Sequence, residues 1–241
     1  ADTIALTITV TDLNDNAPVF ADGATDTVSV NEGGTTVGDY NLADADSTDP
    51  LPSSGGCTDS GADAADFTPS RVDGDTCRIA FSAATDFENP ADDATNNEYV
   101  VNLIATDAGS NTDTIALTIT VTDVAVAITG SQTANVAENA GSGTTVMTVA
   151  TTGDTPTMFS INSGNTGTAF SISSAGVITT AASLDRETTA SYTLTILSSD
   201  GTTAVSNTVA ITVTDINDNS PVFGDGATNS ESGAEGSTTV A

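Results

Sequence analysis

The stretch that decides the fold reads Asp215-Ile216-Asn217-Asp218-Asn219-Ser220-Pro221-Val222-Phe223. A close copy near the other end of the chain reads Asp12-Leu13-Asn14-Asp15-Asn16-Ala17-Pro18-Val19-Phe20. Each copy places Asp and Asn oxygens close together and closes the turn with a proline, without sulfur or imidazole. Ca²⁺ takes about six to eight oxygen ligands of this kind, so we expect each turn to bind this hard cation.

Apolar and polar residues alternate before each copy, over residues 4–10 and 209–213. A period of two predicts strands with one buried face. The turn therefore lies between sandwich-like modules, where a bound ion would lock one module onto the next.

The composition favours an all-β protein. Val, Ile and Thr are abundant, and such β-branched residues favour strands. A chain of 241 residues can hold two modules of about 100 residues, a common size for β-sandwiches.

The chain is strongly acidic, with 33 Asp and Glu, three Lys and Arg, and a net charge of -30. Such a chain repels nucleic acid and anionic membranes. The excess of acidic residues can reflect cation binding or a solvated surface suited to saline surroundings. An acidic disordered tail is disfavoured, because the acidic residues alternate with predicted strands along the chain. No apolar run approaches about 20 residues, so no membrane insertion is expected in this segment.

Cys57 and Cys77 flank a polar stretch within one module. In a secreted protein they would pair and stabilise the fold by roughly 3 kcal/mol, while two free thiols in a cytosolic protein are the alternative. A zinc site is disfavoured because the chain has no histidine.

Internal repeats organise the chain. Asp2–Asp12 recurs letter for letter at Asp113–Asp123, and the stretch from Asp12 recurs from Asp215. We expect a window cut from a tandem array whose unit is two modules. The predicted boundaries are residues 1–16 (last strand and linker of a preceding module), 17–123 (module one), 124–219 (module two with its linker) and 220–241 (first strands of a following module).

Short strands separated by turn signals predict a Greek-key sandwich for each module. The Asp-, Gly- and Ser-rich insertion over residues 44–75 is predicted to be a loop. In module one, strands are predicted at residues 27–30, 35–42, 77–81, 98–106 and 114–122. In module two, they are predicted at residues 134–137, 144–150, 158–161, 169–172, 177–180, 191–197 and 206–214.

Three further acidic motifs recur at matching places in the modules. The first is a Glu after the first strand. The second is an Asp-x-Glu sequence, best seen in Leu184-Asp185-Arg186-Glu187. The third is Asp44-Ala45-Asp46, and an Asp in the turn before each last strand belongs with it. Together with the linker turn, these motifs resemble those of the cadherin family. The resemblance implies tandem immunoglobulin-like sandwiches of the cadherin type, joined by short calcium-binding linkers.

The resemblance also implies the ligands of each junction. The upper half would comprise Glu138, Asp185, Glu187, Asp215, Asn217, Asp218 and Asn219. The lower half of an equivalent junction would comprise Asn14, Asn16, Asp44, Asp46 and Asp107, with Asp12 and Asp15 facing the preceding module.

The junction between the two modules departs from the family pattern. Asp123 is followed by Val-Ala-Val-Ala instead of an Asn-Asp-Asn turn, and module two offers only Asp154 where an Asp-Ala-Asp sequence is expected. Glu32, Asp86, Glu88 and Asp123 are predicted to hold fewer ions there, so that stiff and flexible joints alternate.

The resemblance implies an extracellular, calcium-stiffened rod or stalk that acts in adhesion, with adjacent modules of the same chain as first partners. Two alternatives are a filament assembled through edge strands and a non-catalytic module of a secreted carbohydrate-active protein. Self-association and binding to a surface ligand are both open. An enzyme is not expected, because the chain has no His and no nucleophile constellation.

Overall fold

A computed structural model describes residues 2–10, 13–46, 51–52 and 55–220. Apart from two short 3₁₀ turns, Ala64–Asp66 and Thr166–Thr168, the regular structure is β-strand. The chain forms two compact units. The first comprises residues 1–127, 152–156 and 199–204, and the second comprises residues 128–151, 157–198 and 205–241. The predicted all-β class is confirmed.

The first unit contains two four-stranded sheets. One has the order β1-β3-β6-β5 and the other the order β2-β8-β7-β4. Their strands are β1 (Val19–Phe20), β2 (Thr25–Asn31), β3 (Thr36–Ala43), β4 (Cys57–Ser60), β5 (Phe67–Arg71), β6 (Thr76–Phe81), β7 (Glu98–Thr106) and β8 (Thr112–Thr122).

Strand β8 is the centre of its sheet. It pairs antiparallel with β7 from Thr106↔Thr112 to Glu98↔Thr120, and parallel with β2 from Thr25↔Ala116 to Asn31↔Thr122. Its inward residues Ile115, Leu117 and Ile119 are fully buried, whereas the intervening Ala116 and Thr118 face outward. The alternation seen in the sequence therefore directs one face of β8 into the core.

An aromatic cluster fills part of the first core. The rings of Phe67 and Phe81 stack at 4.7 Å, and Tyr99 packs edge-on against Phe81 at 5.0 Å. Cys57 on β4 and Cys77 on β6 form a disulfide, which links the two sheets of this sandwich through its interior. The expected disulfide is confirmed.

The second unit has its own core. Sheets with the orders β10-β17-β16-β13 and β11-β15-β14 enclose buried residues that include Ile178, Leu194, Ile196 and Ile211. Strand β10 runs parallel to β17 from Gln132↔Val209 to Ala137↔Thr214, which repeats the β2–β8 arrangement. The strands from here to the end are β9 (Ala127–Ile128), β10 (Gln132–Ala137), β11 (Thr145–Thr148), β12 (Thr151–Thr152), β13 (Met158–Ser163), β14 (Phe170–Ile172), β15 (Val177–Thr180), β16 (Ser191–Ser199) and β17 (Ala204–Thr214).

The predicted loop over residues 44–75 was wrong in part. It contains β4, which pairs with β7, and β5, which pairs with β6. Strand β4 is only four residues long, and β5 includes Pro69, so neither has a clear apolar period. Both lie at sheet edges, where short strands and proline are tolerated.

The strand predicted at residues 4–10 is also absent. Residues 2–10 form no strand, and the side chains of Ile4 and Val10 are 91% and 89% exposed. A strand is defined by hydrogen bonds to a neighbour, and no described strand pairs with this segment. The predicted strands of residues 220–241 fall almost wholly outside the described residues, and the four domain boundaries remain predictions.

Candidate metal centres

Three carboxylates converge at one end of the second unit. Glu138 follows β10, Glu187 lies in the loop after β15, and Asp215 follows β17. One oxygen of each lies within 4.8 Å of the others. We call these three residues the Glu138 cluster. The parallel pairing of β10 with β17 places two of the three beside each other.

Glu138 is buried although it is charged, being 5% exposed. Its carboxylate accepts hydrogen bonds from the backbone N–H groups of Ile216 at 2.6 Å and Arg186 at 2.8 Å. These two bonds, the first above all, lower the pKa of Glu138 and keep it ionised. The side chain therefore fastens the loop after β15 to the linker after β17.

The other predicted residues of this junction surround the cluster unevenly. Asp218 and Asn219 line a cavity of about 220 Å³ with Glu138, Asp185 and Glu187. Both oxygens of Asp185 accept hydrogen bonds from Thr188, one from its backbone N–H and one from its hydroxyl group. The bond from the Thr188 hydroxyl is the main reason why the pKa of Asp185 is lowered. Asn217 lies exposed in the same linker.

A second group, the Glu32 cluster, consists of Glu32, Glu88 and Asp154. One oxygen of each lies within 4.8 Å of the others, and all three residues belong to the first compact unit. The sequence motifs include Glu32 and Glu88 in the predicted ligand set but leave Asp154 outside it. The structure adds Asp154 because Asp154 N–H donates to Val124 O at 3.1 Å, which holds this turn beside the end of β8.

Glu32 repeats the hydrogen bonding of Glu138. It accepts from the N–H of Phe87, inside the Asp-Phe-Glu sequence, and from the N–H of Val124, directly after Asp123, both at 2.8 Å. The glutamate after the first strand thus has the same anchoring role in each repeat. The sequence motif marked it as a ligand only.

The carboxylates at and beside the Glu32 cluster are partly buried. Burial raises the pKa of Glu88 and of Asp123, and neighbouring carboxylates, Glu32 and Asp154 among them, raise both further. Glu88 Oε1 and Asp123 Oδ1 are buried without a hydrogen-bond partner. A buried acceptor without a partner destabilises the folded state, and a bound cation would supply the missing partner. Asp86, by contrast, accepts a hydrogen bond from Asn89 N–H at 2.9 Å.

Asp200 lies in the turn before β17 and is 1% exposed. Burial raises its pKa, but hydrogen bonds from the N–H groups of Val126, Thr202 and Thr203 and from the Thr203 hydroxyl lower it by more. The net effect holds the pKa of Asp200 well below its usual range. This aspartate organises its turn and remains ionised beside Asp123.

The predicted lower half of a junction lies at the start of the first unit. Asp46 accepts from the N–H groups of Asp15 at 2.8 Å and Asn16 at 2.6 Å, and from the Asn16 side chain at 2.6 Å. The bonds from Asn16 are the main reason why the pKa of Asp46 is lowered. Asp44 accepts from Asp46 N–H, and its second oxygen is buried without a partner.

Asn111 connects the rest of this group and was missed by the sequence motifs. Its side-chain amide donates to Asp107 Oδ2 at 2.9 Å and Asn16 O at 3.1 Å, and it approaches Asn14 Oδ1 at 3.3 Å. Gly109 permits this packing, since a Cβ atom there would come within 2.8 Å of Asn14 O. Asp12 lies outside the described residues.

The donor chemistry of all three groups suits Ca²⁺. Every candidate ligand offers a carboxylate or amide oxygen. Three of these ligands, Asp44, Glu88 and Asp123, each have a buried carboxylate oxygen without a hydrogen-bond partner. No thiol is available, because both cysteines form the disulfide. The residues present therefore fit a hard cation that prefers oxygen.

Comparison with known proteins agrees with this chemistry. The family model described as the cadherin domain matches residues 132–214. This segment is similar to cadherin domains. The protocadherin-like wing polarity protein stan of Drosophila melanogaster is 34% identical over 143 residues, which is 52% of this chain and 4% of that protein. The chain thus spans a very small part of this relative.

Solved cadherin structures align with most of the chain. The crystal structure of mouse cadherin-23 EC22-24 is 23% identical, covers 85% of this chain and 68% of its own, and has a TM-score of 0.39. Mouse clustered PcdhgC3 EC1-3 is 24% identical, with coverages of 86% and 70% and a TM-score of 0.40.

Cadherin repeats are extracellular adhesion modules and not enzymes, which agrees with the assignments made from the motifs. Cadherin domains as a class bind Ca²⁺. No helix in the described part of the chain is long and apolar enough to cross a membrane.

Proposed function

We propose that this chain is a calcium-dependent spacer and adhesion segment. Ca²⁺ binds at the Glu138 cluster and, more weakly, at the Glu32 cluster. The bound ions convert repulsion between carboxylates into attraction and stiffen the joints between successive modules. Adjacent modules of the same array are its first partners.

The convergence of Glu138, Glu187 and Asp215 carries this proposal. Three like charges within 4.8 Å repel each other, and within the described residues the single ion pair, Arg78–Asp39, lies elsewhere. A cation bound between the three carboxylates would replace this repulsion with attraction. The backbone hydrogen bonds to Glu138 shape this site before a cation binds, which lowers the entropic cost of binding.

In a tandem array, the residues of the predicted lower half of a junction, at the start of one repeat, would complete the Glu138 cluster at the end of the repeat before it. The repeat of the linker sequence at both ends of the chain supports this assignment. Asn14, Asp15, Asn16, Asp44, Asp46 and Asp107 would then complete the coordination of an ion held by Glu138, Glu187 and Asp215.

Calorimetric titration with Ca²⁺, followed by thermal melting in Ca²⁺ and in chelator, tests the binding. A ligand at a hundredfold its Kd stabilises the folded state by about 2.7 kcal/mol, so we expect a clear rise in Tm. Glu187→Gln should remove most of this gain. Glu98→Gln, which removes the same charge from an exposed site on β7, should leave it intact.

Small-angle scattering tests the stiffening. We expect Ca²⁺ to lengthen the particle and chelator to reverse the change. Asp123→Ala should reduce this response, because it removes an oxygen beside the Glu32 cluster. If Ca²⁺ binds without changing the scattering curve, the chain binds calcium but its joints are not stiffened. If neither melting nor scattering responds to Ca²⁺, the whole proposal is wrong.

A further inference from the structure

The segment that follows β8 is bonded to two separate loops at its first residue. Residues 124–127, which we call the Val124 segment, stand where the Asn-Asp-Asn turn is expected, and the sequence predicted a flexible joint there. The N–H of Val124 donates to Glu32 Oε1 at 2.8 Å, and its carbonyl accepts from Asp154 N–H at 3.1 Å. Both backbone polar groups of Val124 therefore have a partner within the first unit.

A third loop holds Val126. Its N–H donates to Asp200 Oδ2 at 2.9 Å, and its side chain is 1% exposed. The turn that carries Asp200 belongs to the first compact unit, as the Val124 segment does. Hydrogen bonds from N–H groups to ionised carboxylates are stronger than those between neutral groups. The segment thus combines such bonds with a buried apolar side chain, and neither contribution needs a metal ion.

Gly153 permits the close approach of the turn at residues 152–156. Its φ of +84° lies in the left-handed region, which favours glycine. A Cβ atom at this position would collide with Ala125 O, and a contact with backbone cannot be relieved by rotation of a side chain. The glycine therefore allows Asp154 to lie near enough to bond to Val124.

The linker after β17 is held differently. Residues 215–219 are all exposed, and among the described hydrogen bonds one of their backbone N–H groups, that of Ile216, donates to a side chain, Glu138. These five residues offer carboxylate and amide oxygens but bury no apolar side chain. Exposed segments with few hydrogen bonds open locally at a low free energy.

We propose that the Val124 segment keeps its conformation without a metal ion, held by Glu32, Asp200 and the turn at Gly153. The Val-Ala-Val-Ala sequence then exchanges cation ligands for hydrogen bonds and burial within the protein. The linker after β17 depends on a bound cation for its order. That contrast rests on the proposed function, whereas the metal-independent order of the Val124 segment does not.

Amide hydrogen exchange in chelator tests this proposal. The reporters are the N–H groups of Val124 and Val126, and those of Asn217 and Asp218 serve as the comparison. After correction for intrinsic rates, we expect both valine amides of the wild-type protein to exchange at least about a hundredfold more slowly than the comparison amides. This difference should be present before any Ca²⁺ is added.

Gly153→Ala should open the segment without removing a carboxylate, because the added Cβ atom collides with Ala125 O. We expect exchange at Val124 and Val126 in chelator to become at least about tenfold faster. Gly143→Ala is the matched control. Gly143 has a φ of +85° and nothing within 4 Å of a Cβ atom built on it, so this variant introduces the same backbone strain without the collision.

A second variant keeps the proposal testable if Gly153→Ala does not fold. Val126→Ala retains the backbone and removes only part of the buried side chain, and it should also accelerate exchange at Val124 and at residue 126. The amide of Leu117, in the middle of β8, should remain protected in every variant and so report that the first unit is folded.

Three results would overturn the proposal. They are exchange of Val124 and Val126 in chelator as fast as that of Asn217, protection that appears only with Ca²⁺, and equal effects of Gly153→Ala and Gly143→Ala. The second result would leave the proposed function standing, since calcium would then order this segment too. Protection in chelator with no response of Tm to Ca²⁺ would instead support the metal-independent segment and contradict the proposed function.

Discussion

Glu32 and Glu138 anchor the fold and, under the proposed function, would also bind a cation. Each uses both of its oxygens to accept backbone hydrogen bonds from the two loops that carry the neighbouring acids. Lone pairs on those oxygens remain available, because a carboxylate has about four acceptor sites. The glutamate therefore holds the neighbouring acids in place and keeps lone pairs with which it could bind a cation.

Replacing Glu138 should consequently weaken the second unit even without calcium. In chelator, Glu138→Ala leaves the N–H groups of Ile216 and Arg186 without their acceptor, and we expect Tm to fall by roughly 5 °C. Glu187→Ala removes an exposed carboxylate and should leave Tm in chelator almost unchanged. In saturating Ca²⁺, both variants should melt at a lower temperature than the wild-type protein in Ca²⁺. Equal losses in chelator would contradict the anchoring role of Glu138.

Asp200 should give the protein a characteristic dependence on pH. Its pKa is lowered in the folded state from the usual value of 3.8, so its stabilising effect is complete above that value and declines as the pH falls below it. We expect Asp200→Asn to lower Tm by several degrees at pH 7 and by progressively less below pH 3.8. The exposed Asp22→Asn serves as control. A difference in Tm that stays constant down to pH 2 would rule out this linkage.

The sequence motifs predicted the acids but not their partners. Asp154 was noted only as an incomplete match, and Asn111 belongs to no motif, because the fold alone brings each beside the other ligands. Asp200 was marked by its position before the last strand, yet its four hydrogen bonds depend on a turn whose geometry no short pattern specifies. The spacing of residues along the chain predicts which ligand types are available. Which of these side chains come together in space depends on how the strands pair.

At the scale of elements, one sequence occurs in two conformations. Residues 113–122 belong to β8, whereas the identical residues 2–11 form no strand where they are described. Intrinsic strand preference is the same for both, so the difference comes from the neighbours β2 and β7. Context therefore outweighs propensity here.

This duplication provides a matched pair of mutations. Leu117 is fully buried and Leu6 is 80% exposed within the same local sequence. We expect Leu117→Ala to lower the free energy of unfolding by about 2–5 kcal/mol, because it leaves a cavity, and Leu6→Ala to change it by less than about 0.5 kcal/mol. Urea denaturation of both variants measures the difference. Comparable losses would show that residues 2–10 pack against the protein.

Long strands were predictable and short edge strands were not. The predicted strands at residues 98–106 and 114–122 agree with β7 and β8, because many alternating residues support each one. Strands β1, β4 and β5 were missed, since two to five residues carry too little periodicity. Their pairing is specified by long-range contacts that a local pattern does not contain.

For the whole molecule, the repulsion between the many acidic side chains should govern the response to salt. In chelator, raising sodium chloride from about 0.1 M to about 1 M shortens the screening length from about 10 Å to about 3 Å. We expect Tm to rise by several degrees as repulsion between the loop carboxylates weakens. With Ca²⁺ saturating, the rise should be much smaller. A Tm that falls with salt in chelator would contradict this view of the charge.

The parallel pairing of β2 with β8 has a mechanical consequence. Strand β2 lies near the start of its unit and β8 near the end, and seven residue pairs join them side by side. Tension that pulls the two ends of the unit apart would slide these strands along each other, so that their hydrogen bonds bear the load together and do not open one by one. The β10–β17 pair would act in the same way. Each unit should therefore resist stretching along the chain far better than peeling across it.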